Sequence, residues 1–218
     1  MFLLGHSCWS YLLSKITGRE LKVNMPAYLA LLSGVLPDFD IYFRPFLEHH
    51  TYTHSLLVLG PVAFILSYRY GRTGVAFSAG LFSHLLADSL VGSIPLLYPV
   101  LPNFVVGLNL GIPSPADTVL EIGAFGLVIL YAFQNGDYKL VFRSEKESLL
   151  LAIPLVAIVS LTLLFAGDNN IPLTTLAFSR KALTVITLGH IAFAGILAVG
   201  VLQGIKFYLR KARVTRPP

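Results

Sequence analysis

The sequence predicts an all-α membrane protein, a polytopic bundle of about five long and two short helices. Hydrophobic residues make up 55% of the 218 residues and charged residues only 12%, and the mean hydropathy is +0.73. Soluble domains carry about 25% charged residues, so this chain has too few to cover a soluble surface. Several of its apolar runs are also long enough to cross a bilayer.

Seven apolar runs define the predicted helices. Five are at or near the roughly 17 to 25 residues that a transmembrane helix needs, and they cover residues 56–68, 75–91, 119–133, 149–166 and 183–205. Two shorter runs, residues 2–13 and 26–36, are expected as tilted spans or half-buried helices. The first is not an obvious signal peptide, because it lacks a basic segment and a small-residue cleavage site.

No polar linker, internal repeat or low-complexity tract divides the chain, so residues 1–218 are expected to form one membrane domain. Its motifs fall within residues 1–125, and residues 126–218 add further helices and a basic C-terminal tail. Cys8 is the only cysteine, which excludes an internal disulfide.

The net charge of +5 is better explained by membrane topology than by nucleic-acid binding. With seven helices, thirteen of the sixteen basic residues fall on one side, and only Arg44, Arg180 and Lys181 fall on the other. The positive-inside rule then predicts a multi-pass protein of the cell membrane with its N-terminus outside and its C-terminus in the cytoplasm. The basic tail, which ends with Arg216, is interpreted as an anchor for anionic lipid. No nucleic-acid partner is expected, and the oligomeric state is left open.

Ten residues of metal-ligand and acid/base types interrupt this apolar chain. They are His6, Asp38, Asp40, His49, His50, His54, His84, Asp88, Asp117 and Glu121. Under the predicted topology nine lie at or near the outer face, and His84 lies one turn deeper. Ionisable groups beside membrane-length apolar segments cost free energy, so their gathering at one face indicates a functional site.

Two of the motifs lie just before the third predicted helix. Pro37 disfavours a helical backbone at the preceding Leu36, which leaves Asp38 and Asp40 in a turn; alone, this pair is equally typical of a solvated helix end. His49, His50 and His54 lie within six residues of one another. Three imidazoles this close favour a metal site over a polar interfacial segment. Thr51 or Thr53 is a candidate N-cap for the helix that follows.

A third motif, His84 and Asp88, has the four-residue spacing that places both side chains on one helix face. The pair can reach one ion, or Asp88 can orient a ligating imidazole. His190 has no acid near it in the sequence, and an interhelical hydrogen bond is favoured for it.

The fifth helix and the loop before it are less specific. Ser114 is a candidate N-cap and Pro115 suits the first helical position. Asp117 and Glu121 share a face, and the helix dipole alone would explain Asp117. Residues 92–115 contain five prolines and are expected not to form one spanning helix. This apolar loop, with Tyr98 and Phe104, is either a lid or interfacial element that receives a lipid chain or an ordinary membrane-hugging loop.

The three motifs together resemble the YdjM-like family of predicted membrane-bound metal-dependent hydrolases. The resemblance lies in residues 36–40, 49–55 and 84–88, and Gly5-His6 is similar to that family's first histidine. At His50 the family often has arginine, so the role of His50 stays open. More distantly, the order of His, Asp and His-x-x-x-Asp elements resembles the zinc-dependent phospholipase C and nuclease group.

This resemblance and the ligand types imply a metal-dependent hydrolase. The predicted metal ligands are His6, Asp38, His49, His54, His84 and Asp88, with Asp40 or Glu121 in a supporting or general-base role. Imidazoles with carboxylates suit zinc, or manganese as the alternative, better than calcium. The expected substrate is a phosphoester of a lipid or lipid-linked molecule at the outer face, as in a phosphoesterase of the phospholipase C type. The alternatives are a metal-ion or proton transporter that uses the same cluster, and a non-catalytic protein whose metal braces the helices.

Overall fold

The computed structural model describes residues 1–166 and 173–214; Arg216 of the predicted basic tail lies outside the described residues. The helices in these ranges are α1 (Leu3–Glu20), α2 (Ala27–Ser33), α3 (Leu56–Tyr70), α4 (Arg72–Val91), α5 (Pro115–Asn135), α6 (Lys139–Phe142), α7 (Ala152–Ala166) and α8 (Leu173–Val214). Segments of 3-10 helix cover Pro37–Phe43, Tyr52–His54 and Lys146–Leu151, and two short strands are β1 (Ile94–Pro95) and β2 (Val105–Val106). The all-α prediction is confirmed.

Four described helical segments are long and apolar enough to cross a membrane. They are Arg72–Val91, Pro115–Asn135, Lys146–Leu164 and Lys181–Ala212. Helix α3 is apolar but shorter, with 15 residues. The architecture is therefore a polytopic membrane bundle, as predicted.

The first helix is longer than its apolar run indicated. Helix α1 has 18 residues, and most of them are buried, including Ser7, Ser10, Ser14 and Lys15. These polar residues lower the hydropathy of α1, but they face other helices: the Ser10 hydroxyl, for example, donates to the carbonyl of Ala30 at 2.8 Å. Helix α1 is thus a central helix surrounded by α2, α4 and α5, and the prediction of a short first helix is wrong.

Two local predictions are also corrected. Leu36 keeps a helical backbone despite the following Pro37 (φ −61°, ψ −40°) and leads directly into the 3-10 segment. The N-cap of α3 is Ser55, whose hydroxyl accepts from the Leu57 amide at 3.1 Å. Thr53 does not cap α3, because its hydroxyl donates to Asp40 instead.

Residues 92–115 do not form one spanning helix, as predicted, and the predicted start of α5 is confirmed. Strands β1 and β2 pair antiparallel, and the Leu108 amide donates to the carbonyl of Ser89 at 2.7 Å, so the segment folds back on the end of α4. Ser114 caps α5 by accepting from the Asp117 amide at 3.1 Å, with Pro115 at the start of the helix.

The two ends of the bundle differ in chemistry. At one end, where α1 and α5 begin and α4 finishes, His6 Nε2 lies 3.1 Å from Asp88 Oδ1. At the other end, Lys15 Nζ lies 2.6 Å from Asp137 Oδ2, and Arg72 donates to the carbonyl of Leu21 at 3.3 Å. The histidines and acids singled out in the motifs therefore lie toward one end, and these basic side chains lie toward the other.

Candidate metal centre

Four segments of the chain bring five of the six predicted ligands together. Asp38 comes from the Pro37–Phe43 segment and His54 from the Tyr52–His54 segment, whereas His84 and Asp88 lie one turn apart on α4. All four side chains are at most 3% exposed. His6 arrives from α1 and stacks on His84, with ring centroids 3.8 Å apart.

Four ligand atoms converge on one small volume. His84 Nε2 lies 2.9 Å from His54 Nε2, 3.1 Å from Asp88 Oδ2 and 3.5 Å from Asp38 Oδ1. His54 Nε2 lies 3.4 Å from Asp38 Oδ1 and 3.5 Å from Asp88 Oδ2. Two imidazole nitrogens and two carboxylate oxygens thus face one another with little exposure to solvent.

These separations fit a bound divalent ion. Ligands at 2.0 to 2.1 Å from a tetrahedral zinc lie about 3.3 Å from one another, close to the five separations above. Asp88 Oδ2 is also buried and accepts no hydrogen bond from the described residues. A buried carboxylate oxygen without a donor is costly unless a cation or proton reaches it, so the donor set fits the predicted metal.

Neighbouring groups orient the two central imidazoles. His84 Nδ1 lies 2.6 Å from the carbonyl of Gly34, which requires a proton on Nδ1 and leaves the Nε2 lone pair directed at the cluster. His54 Nδ1 lies 2.9 Å from the Thr53 hydroxyl, and that hydroxyl donates to Asp40 Oδ2 at 2.6 Å. Gly34 and Thr53 were not predicted; only the position of Thr53 beside His54 could have indicated a role.

Asp40 holds a second imidazole. Its Oδ1 lies 3.0 Å from His49 Nδ1, and His49 Nε2 lies 3.9 Å from Asp38 Oδ1. Burial raises the pKa of Asp40, but the hydrogen bonds to His49 and Thr53 outweigh it, so the pKa is lower than its ordinary value. Asp40 is therefore a carboxylate at neutral pH with both oxygens engaged.

His54 is ready to act as a ligand at neutral pH. Burial, and then the neighbouring His84, lower the pKa of His54 to about 3. A metal binds only the neutral imidazole, which is the form that this environment favours.

The remaining candidates lie around this centre. His6 Nε2 and the N-terminal ammonium of Met1 each lie 3.1 Å from Asp88 Oδ1. His50, whose role the sequence left open, has a positive φ of 62°, and its Nε2 lies 3.9 Å from Asp88 Oδ2. Ligand atoms of His49, His50 and His54 lie within 4.8 Å of one another, as do those of His6, His84 and Asp88. All six predicted ligands thus belong to one connected cluster.

Asp117 and Glu121 are fully buried at the start of α5. The Phe2 amide donates to Glu121 Oε1 at 2.6 Å, whereas Glu121 Oε2 and both Asp117 oxygens have no hydrogen-bond partner among the described residues. The helix dipole alone does not account for such complete burial of Asp117. His190 behaves as predicted: its Nε2 accepts from the Leu4 amide of α1 at 3.1 Å, which is an interhelical hydrogen bond.

The bundle and its buried cluster define a multi-pass helical membrane protein with metal-ligand residues gathered at one end. The chain belongs to the YdjM inner membrane protein family, whose model matches residues 2–170. The match extends beyond residues 1–125 and includes α7, where no motif was recognised. No curated protein and no solved structure matches the chain.

Proposed function

We propose that this protein is a membrane-embedded metal-dependent hydrolase that cleaves a phosphoester of a lipid or lipid-linked substrate. The observation that carries the proposal is the convergence of four ligand atoms: the Nε2 atoms of His54 and His84 lie 2.9 Å apart, and each lies 3.1 to 3.5 Å from the carboxylate oxygens of Asp38 and Asp88. Charged and polar groups are expensive at membrane depth and are retained there for function. Mixed imidazole and carboxylate ligands favour zinc, with manganese as the alternative.

The chemistry that such an ion supplies when bound is activation of water and polarisation of a phosphoryl oxygen. The protein's own groups would hold and orient it: Gly34 fixes the ring of His84, and Thr53 links His54 to Asp40. The lowered pKa of Asp40 favours a positioning role over that of general base. Glu121, whose buried Oε2 has no hydrogen-bond partner among the described residues, is the better candidate for the proton acceptor.

The proposed orientation places the cluster at the outer face, with the N-terminus outside and the C-terminus in the cytoplasm. Its support is the separation of charge along the bundle, because Lys15 and Arg72 contact partners at the end opposite His6. A substrate at that face would be presented by the outer leaflet.

The test combines metal analysis with hydrolysis. Purified protein, zinc-loaded, would be assayed for release of phosphate or headgroup from mixed phospholipid vesicles, beside the His54→Ala and Asp88→Ala variants. His190→Gln is the matched control, because His190 is a half-buried histidine outside the cluster. Wild type and control should release product, and the two cluster variants should lose at least about 100-fold in rate, the upper range for supporting groups of a metal site.

Two results would count against the hydrolase. Protein that takes up no metal would remove its basis. Metal-loaded protein that cleaves no ester but carries ions across vesicle membranes would favour the transporter, and metal-loaded protein that does neither would favour a structural metal.

A further inference from the structure

An apolar groove runs along the outside of the bundle between α3 and α4. Its volume is about 230 Å³. One wall is formed by Val58, Val62 and Leu66, which are spaced four residues apart on one face of α3, and the opposite wall includes Phe77 of α4. The groove follows α3 for about 12 Å at 1.5 Å per residue, close to the ~15 Å thickness of one leaflet's hydrocarbon layer.

One end of the groove lies beside residues that neighbour the metal centre. Its lining there includes Pro37 and Thr53, which directly precede Asp38 and His54 in the chain. Thr53 also contacts the centre itself, since its hydroxyl lies 2.9 Å from His54 Nδ1. A molecule lying in the groove would therefore have one end beside the converging ligand atoms.

The groove opens on a surface that suits lipid. Other side chains of α3 point away from the protein core: Phe64 is 72% exposed, Ile65 62% and Tyr68 86%. Apart from Thr53, the groove is lined by apolar side chains and Pro37. Such a surface favours a hydrocarbon chain over a polar ligand.

We propose that this groove binds one hydrocarbon chain of a lipid, with the lipid's phosphoester beside His54 and Asp38. The inference rests on the proposed hydrolase function and specifies its substrate class as lipids with a long chain. The hydrocarbon chain of the lipid enters sideways from the bilayer between α3 and α4, and the lipid's polar group reaches the metal centre from the membrane surface.

The binding test does not depend on activity. Zinc-loaded protein is purified in detergent, incubated with dioleoylphosphatidylglycerol and examined by native mass spectrometry. Wild type should retain one lipid. Val62→Trp, which fills the middle of the groove, and Leu66→Trp, which fills its far part, should lose it. Ile65→Trp is the matched control, because Ile65 lies on α3 outside the groove lining, and it should bind lipid as wild type does.

A second test measures selectivity by chain length. Val62→Trp should lower kcat/KM for a dioleoyl phospholipid in mixed micelles about tenfold, the ratio expected for losing two buried methylene groups. It should leave kcat/KM for the water-soluble p-nitrophenylphosphorylcholine unchanged. Ile65→Trp should leave kcat/KM unchanged for both substrates.

Equal lipid retention by wild type, Val62→Trp and Leu66→Trp would overturn the inference. So would a dimer of wild-type protein that Val62→Trp dissociates, because a second copy of the chain would then cover the groove. If wild type retains lipid in the groove but cleaves neither substrate, the hydrolase proposal fails and the lipid-binding site stands.

Discussion

His84 Nε2 and Asp88 Oδ2 lie 3.1 Å apart on successive turns of α4, and both side chains are almost completely buried. The helix fixes this pair, because residues four apart share a face. Asp38 and His54 complete the cluster from 3-10 segments that precede α3. The proposed metal centre therefore combines a rigid pair with two ligands whose positions depend on packing.

The hydroxyl of Thr53 should be needed for metal affinity. Thr53→Val removes both the donor to Asp40 and the partner of His54 Nδ1. Because loss of such supporting contacts typically lowers metal affinity 10- to 100-fold, we expect the variant to bind zinc about 10- to 100-fold more weakly. Competition with a zinc chelator measures it. Thr53→Ser should restore most of the affinity. Thr51→Val should have no effect, because the Thr51 hydroxyl donates to the Glu48 carbonyl and not to a group of the cluster. Equal affinities for Thr53→Val and Thr51→Val would contradict the role.

Gly34 should be needed because of space. A Cβ atom at Gly34 would lie 2.2 Å from the carbonyl oxygen of His6, so Gly34→Ala must push α1 and α2 apart and displace the carbonyl that orients His84. We expect lower metal content and a lower melting temperature. Gly60→Ala is the control, since a Cβ there meets nothing within 4 Å. Wild-type metal content in Gly34→Ala would show that the close approach does not support the site.

Acid should destabilise the metal-free protein through His54. The pKa of His54 falls from 6.5 to about 3 on folding, so between these values the unfolded state binds a proton that the folded state excludes. Stability therefore falls as the pH decreases from 7 to 4, by up to about 1 kcal/mol per pH unit from this residue. Melting temperatures of chelator-treated protein at pH 7, 5.5 and 4 provide the measurement. His54→Gln should make this dependence less steep, and parallel curves for the two proteins would exclude a contribution from His54.

The loop between α4 and α5 should lie in lipid. No charged residue occurs from position 89 to 116, and Phe104 and Leu108 are 48% and 67% exposed. Spin labels placed on cysteines at 104 and 108 in a Cys8→Ala background should be accessible to oxygen but protected from a water-soluble nickel complex. A label at exposed Arg143, which lies outside the membrane-spanning segments, should show the reverse. Nickel accessibility at 104 and 108 equal to that at 143 would place the loop in water.

Hydrophobic length predicted the helices well, except where polar residues face other helices. Helix α1 looked short because hydropathy counts Ser10 and Lys15 as solvent-seeking, although each has a partner inside the bundle. Local rules also failed at Leu36 and Thr53, where tertiary contacts determine the backbone and the cap.

For the candidate site, the histidines and carboxylates could be predicted from the sequence, but the groups that orient them could not. The spacing of His84 and Asp88 determines their shared face in any helix. The carbonyl of Gly34 has no such signal, because a backbone group reaches His84 only through the packing of α2 against α4. The position of Asp117 in the first turn of α5 likewise predicted only a helix-dipole effect, because its complete burial depends on tertiary packing.

Metal content tests the central claim most directly. Purified protein would be stripped with a chelator, reloaded with zinc, freed of excess metal and measured by elemental mass spectrometry beside Asp88→Ala and His190→Gln. We predict at least about one zinc ion per chain in wild type and His190→Gln, and a clearly lower zinc content in Asp88→Ala. The Asp88→Ala change removes one carboxylate from the four converging ligand atoms. Wild-type protein that retains no zinc or manganese after reloading would contradict the account.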